Sequence, residues 1–187
     1  MSMTLRLLSG IVLLAAASVV WSASAPRNPE DHFFHKTLGD FSEDLADARA
    51  NGKKAVFVFF EMDECRWCKK MKETVLNQPE VQDWYRSNFL NLAVDVEGDV
   101  EINDLHGEPM SEQRFAIIST ANNERDLARP EYKKPTPYFV FFDMDGNRIY
   151  SVPGIVKGID EFMLLGRFIV DEAYKSQSFT AYKKAVK

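Results

Sequence analysis

The chain contains two cysteines, and both stand in Cys65-Arg66-Trp67-Cys68. Two thiols at this spacing can exchange electrons as dithiol and disulfide, ligate a metal, or form an inert bond. An inert bond closes so short a loop here that it adds little stability through chain entropy. A metal needs more ligands. His32 and His35 would complete the two-cysteine, two-histidine set that suits tetrahedral zinc. Their segment, residues 26–37, holds two prolines and little periodicity, and histidines there serve equally well in packing or in solvent. Redox exchange is favoured by placement, because the pair falls where a strand ends and a helix begins. A thiol at a helix N-terminus faces unpaired N–H groups and the positive end of the dipole, which lower its pKa from about 8.5. Cys65 is then the nucleophile that attacks a substrate disulfide, and Cys68, one turn on and more buried, resolves the mixed disulfide. Arg66 adds a cation beside the thiolate, while Asp63 and Glu64 oppose it. Trp67 is a large aromatic suited to anchoring a docked partner, or to packing on a neighbouring loop.

The elements that position this pair follow from pattern. Ala55 to Phe60 is a continuous apolar run rich in aromatic and β-branched residues, the mark of a strand covered on both faces. Before it, Asp40 with Glu43 opens a helix buried through Phe41, Leu45 and Ala48, and Asn51-Gly52 stops it. After the cysteines, helical spacing continues through Cys68, Met71, Lys72 and Val75. Pro79 interrupts it, and a second helix follows over 80–87, buried through Val81, Trp84 and Tyr85. Phe89 to Val96 reads as another strand. Residues 97–110 read as an acidic loop, then a helix over 111–121 and a polar stretch over 122–134. Strands at 138–142 and 148–152 flank Asp143-Met144-Asp145-Gly146-Asn147, a hairpin turn. The same residues match the start of a calcium loop, but no glutamate stands at its twelfth position. Gly158 precedes a helix buried through Phe162, Leu165, Ile169 and Ala173, and a short helix over 179–186 closes the chain. The order predicts an α/β fold whose sheet mixes parallel and antiparallel pairs.

Of 187 residues, 45% are hydrophobic and 27% charged, which is globular rather than disordered or fibrous. Residues 1–25 read as a signal peptide: Arg6, an apolar run from Leu7 to Val20, then small residues at Ser22-Ala23-Ser24-Ala25. The run is short for a membrane anchor. Losing Arg6 with the leader takes the net charge from −5 to −6. An acidic chain without a basic run excludes nucleic acid as the main partner. Two cysteines cannot build a disulfide framework, so one domain over 26–187 must hold itself by its core.

Beyond the residues themselves, the Cys-x-x-Cys between strand and helix, with Thr136-Pro137 before a later strand, resembles the thioredoxin fold. Gly39-Asp40, Asp47-Ala48, Gly52-Lys53-Lys54, Phe60-Glu61, Cys65-x-x-Cys68-Lys69 and Gly98-Asp99 resemble the SoxW-type periplasmic thioredoxins, over about Phe33 to Tyr182. The resemblance implies a central mixed sheet flanked by helices and a cis-proline. The chain departs from it at 119–134, longer than the family's usual link into that proline, within an insertion read at about 97–134. The resemblance also implies a periplasmic thiol–disulfide oxidoreductase, usually a reductant, monomeric and without cofactor. A membrane protein of the CcdA/DsbD kind would supply its electrons, and its substrates would be protein thiols and disulfides, a sulfur-oxidation carrier protein among them. By position, Pro137 would be the cis-proline facing the sulfurs. Thr136 would offer its backbone N–H and C=O to a substrate strand; a rigid loop end is the plainer reading of the two prolines. Thioredoxins proper carry a buried aspartate where Phe59 stands. Glu61 is the nearest replacement, either as acceptor of the Cys68 proton or as a solvated or salt-bridged carboxylate. An oxidant would use the same residues with the opposite poise, and a metal-binding protein would use the cysteines without turnover. An isomerase needs a dimerisation module for which the chain has little room.

Overall fold

A computed structural model describes residues 25–186, so the leader read over 1–25 lies outside the described residues except for Ala25. The architecture is built on β1 (Ala55–Glu61), which is buried along its apolar length. Successive side chains of a strand point to opposite faces, and here each face is covered. Ala55, Phe57 and Phe59 join Phe33, Tyr85, Phe89, Phe139 and Phe162 on one side. Val56, Val58 and Phe60 join Phe41, Leu45, Leu92 and Phe115 on the other.

Four strands lie in the order β2 (Phe89–Asp95), β1, β5 (Tyr138–Phe142), β6 (Arg148–Pro153). The β1–β2 pair is parallel and the other two are antiparallel, the mixed sheet expected from the sequence. A parallel neighbour needs a crossover, and α3 (Arg66–Thr74) with α4 (Pro79–Asn88) supplies it. On the α4 side, Tyr85 stacks on Phe162 of α7 (Gly158–Val170) at 4.4 Å, and its hydroxyl donates to the Phe162 carbonyl at 2.7 Å. On the opposite side, Phe41 of α2 (Phe41–Ala50) meets Phe115 of α5 (Glu112–Thr120) at 5.4 Å. Asp40 caps α2 by accepting from the Glu43 N–H, as its spacing predicts. The β5–β6 turn is held by Asp143, whose Oδ1 accepts from the N–H groups of Asp145 and Asn147.

Several expectations change. The lead-in over 26–37 contains a short helix, α1 (Pro29–His32), and its Phe33 and Phe34 are core residues at 0% and 4% exposure. The aromatic pair fills space against Phe57, Phe59 and Tyr85, a demand set by distant residues and invisible in local periodicity. The acidic loop over 97–110 folds into a two-stranded ribbon, β3 (Glu101–Asn103) with β4 (Pro109–Ser111), turned by Asp104, whose Oδ1 accepts from His106 and Glu108. Within the polar stretch lies a short helix, α6 (Glu124–Leu127). Trp84 is half-buried. Gln82 takes the buried position instead, because its amide is satisfied by Arg27 and by the Leu76 carbonyl. Ala173 belongs to a 3-10 turn (Ala173–Lys175) after α7, and α8 (Phe179–Ala185) closes the chain.

His35 fastens the lead-in to the outer edge of β2. Its N–H donates to the Asn91 carbonyl at 2.8 Å, and its Nδ1 accepts from the Asn91 N–H at 3.0 Å. Burial, then the cations of Arg86 and Lys53, lower its pKa to about 4. An unfolded histidine titrates near about 6.5, so between these values the unfolded chain binds the extra proton. Stability is therefore full above about pH 6.5 and falls as pH drops towards 4. Urea denaturation at pH 7.5 and pH 4.5 should show this loss in the parent protein. The His35→Gln variant should lose less between the two pH values.

Candidate active site

Cys65 and Cys68 form a disulfide with their Cα atoms 5.2 Å apart. Cys65 is the N-cap of α3, and the Cys68 N–H donates to Cys65 Sγ at 3.0 Å. A sulfur in this position receives one of the orphan donors of the helix N-terminus and feels its positive end, so a thiolate formed there is stabilised. The first turn of α3 contains no acidic side chain to oppose this. Exposure is 8% for Cys65 and 2% for Cys68, the order expected of an attacking and a resolving thiol.

Arg66 and Trp67 project outward beside the pair. The Arg66 guanidinium lies 5.2 Å from the Trp67 ring centre and the Lys70 ammonium 5.3 Å, while the indole remains 43% exposed. Trp67 is thus held by two cations at the protein surface rather than packed under a loop. The Thr136–Pro137 peptide bond is cis. Pro137 is buried and its carbonyl accepts from the Gly154 N–H at 2.9 Å, whereas Thr136 is half-buried. Because Tyr138 pairs with Phe60, Pro137 enters β5 at the end of the sheet where β1 leaves for the cysteines.

Glu61, the last residue of β1, lines a cleft of about 650 Å³ together with Cys65, Cys68 and Lys72. Its Oε1 lies 2.6 Å from Lys72 Nζ, and the same ammonium lies 2.6 Å from Glu30 Oε1. Burial pushes the Glu61 carboxyl above the usual carboxylate range, and Lys72 pulls it partly back. Of the two readings of Glu61, the structure shows the salt-bridged one, a mostly buried carboxylate paired to a lysine. On the core side, the buried rings of Phe59 and Phe34 lie 5.8 Å and 5.5 Å from Lys72 Nζ. Sequence reasoning did not single out Glu30 and Lys72 for this site. Lys72 left a trace, a charge four residues after Cys68 on the stripe shared by Met71 and Val75. Glu30 left none, because its partner lies 42 positions away. The two-histidine metal site is not assembled: His35 Nδ1 is occupied by Asn91, and His32 is exposed at the end of α1. Among the described residues no three His, Cys, Asp or Glu side chains cluster to hold an ion, and no helix is long and apolar enough to cross a membrane.

Comparison with known proteins agrees with the fold. A thioredoxin-like domain model matches residues 41–167. Among solved structures, a thioredoxin-fold protein from Helicobacter pylori is similar with 22% identity and a TM-score of 0.58, over 84% of this chain and 92% of its own. The DsbH oxidoreductase is similar with 15% identity and a TM-score of 0.52, over 83% and 96%. No curated protein sequence matches the chain significantly.

Proposed function

Because the chain belongs to the thioredoxin-like domain family, we propose that it is an exported thiol–disulfide oxidoreductase that works as a reductant on protein disulfides. The observation that carries this reading is the Cys65–Cys68 disulfide at the N-terminus of α3, with the Cys68 N–H on Cys65 Sγ. Reduced, Cys65 attacks a substrate disulfide and Cys68 displaces the product from the resulting mixed disulfide. Pro137 and Thr136 present the substrate strand to the sulfurs through backbone pairing, with Arg66 and Trp67 as the flanking contact surface.

Arg6, the apolar run after it and the small residues at 22–25 support export to the periplasm. Outside the cytosol a dithiol is kept reduced only if it is recharged, so the electron donor is a membrane protein of the CcdA/DsbD kind. The SoxW-like residues around Gly39-Asp40, Phe60-Glu61 and Gly98-Asp99 point to a reductive role in which an exported carrier's thiol is among the substrates. The protein acts as a monomer, one domain over 26–187, with residues 97–134 as the part that adapts it to its partners. The reduction potential of the dithiol tests the direction of this chemistry, because an oxidant of the same fold would be poised far higher.

A further inference from the structure

Lys72 shares the cleft of the dithiol, and its ammonium is fixed there from three sides. Glu61 approaches from the end of β1 and Glu30 from α1, each at 2.6 Å. The rings of Phe34 and Phe59 lie beside it on the core side. The other cations on the cleft pair with other carboxylates: Arg27 with Asp83 at 2.5 Å, and Lys69 with Glu73, itself on the cleft, at 3.9 Å. Glu30 and Asp95 add negative charge around Glu61, and Asp63 and Glu73 also line the cleft. A carboxylate mostly removed from water and surrounded by other carboxylates takes up a proton unless a cation holds it ionised.

Building on the proposed exchange reaction, we propose that Lys72 is a positioning residue that keeps Glu61 ionised and aimed into the cleft to receive the Cys68 proton. Glu30, by sharing the same ammonium, weakens that hold. The N-terminal segment thus belongs to the active site, and Glu61 with its lysine does the work that the aspartate missing at Phe59 would do.

The reaction balances as follows. The Cys65 thiolate attacks a substrate disulfide, a Cys65–substrate bond forms, and the released substrate thiolate takes a proton from water. The Cys68 thiol passes its proton to Glu61 through water in the cleft, and the new thiolate attacks Cys65 Sγ. The Cys65–substrate bond breaks, the Cys65–Cys68 bond forms, and the second substrate thiolate leaves. The substrate gains two electrons and the dithiol loses two.

An aromatic disulfide, 5,5′-dithiobis(2-nitrobenzoate), separates these steps. Reduced protein releases one coloured thiolate when Cys65 attacks and a second when Cys68 resolves. The pH profile of the second, unimolecular phase reads the Cys68 proton transfer. Lys72→Met should move its acid limb up by about 1–3 pH units, and Lys72→Arg should restore it. Glu30→Gln should move the limb the opposite way, downward, which a merely structural role would not do. Profiles of Lys72→Met and Glu30→Gln that superimpose on the parent overturn the assignment while leaving the exchange reaction intact. Should Lys72→Met fail to fold, Glu30→Gln decides alone. If the parent releases no second thiolate, the dithiol reaction and this assignment both fall.

Discussion

The Cys68→Ser variant is expected to accumulate covalent complexes with its substrates, and Cys65→Ser to form none. The asymmetry follows from burial and position. Cys65 caps α3, where its sulfur receives a backbone N–H and is the less buried of the two. It therefore attacks first, and a serine hydroxyl in its place is not ionised near neutral pH and cannot attack a disulfide. Removing Cys68 leaves that first attack intact but deletes the group that breaks the mixed disulfide. Turnover should fall by about 10³-fold or more in either variant, since both act in one reaction unit. Only Cys68→Ser should show thiol-sensitive adducts on a non-reducing gel. Equal trapping by both variants would reverse or abolish the assigned roles.

Phe57→Ala should be among the most destabilising single substitutions in the core. Phe57 is fully buried at the middle of β1, and its ring meets Phe33, Tyr85, Phe139, Phe141 and Phe162 at centroid distances of 5.2–5.8 Å. Those neighbours come from the lead-in, α4, β5 and α7, so the cavity left by alanine lies where four elements meet and cannot collapse cheaply. Truncation of a buried phenylalanine costs about 3–5 kcal/mol, a large share of a typical stability of about 5–15 kcal/mol. Phe57→Leu, which keeps most of the volume, should cost distinctly less. Urea denaturation of the oxidised proteins measures both. A loss below about 1 kcal/mol for the alanine variant would mean that this aromatic junction is not packed as described.

What could be read from the sequence was local. The run from Ala55 to Phe60 reads as a doubly covered strand because it offers no polar face, and the core does cover it on both sides. The Asp40 cap, the Asp143–Asn147 turn and the position of Cys65 at a helix start are likewise properties of neighbouring residues. Features decided by distant partners were not legible. Phe33 and Phe34 sit in a segment with no periodicity and become core because α4 and β1 leave room for them. The β3–β4 ribbon is three residues a side, too short for alternation to show within the acidic stretch that holds it. Glu61 invited two competing readings, and the salt-bridged one is seen, with a lysine that also lines the cleft of the cysteines. The third member, Glu30, is brought in by α1, an element that the sequence pattern did not reveal.

The central claim is that Cys65 and Cys68 form a dithiol poised to reduce. Its most direct test is the reduction potential, measured by equilibrating the protein in defined thiol/disulfide buffers and following Trp67 fluorescence. The account predicts a value near that of thioredoxin, about −270 mV. A value near about −120 mV, the poise of a strong disulfide donor, would contradict the reductant reading while leaving the fold and the cysteine chemistry in place.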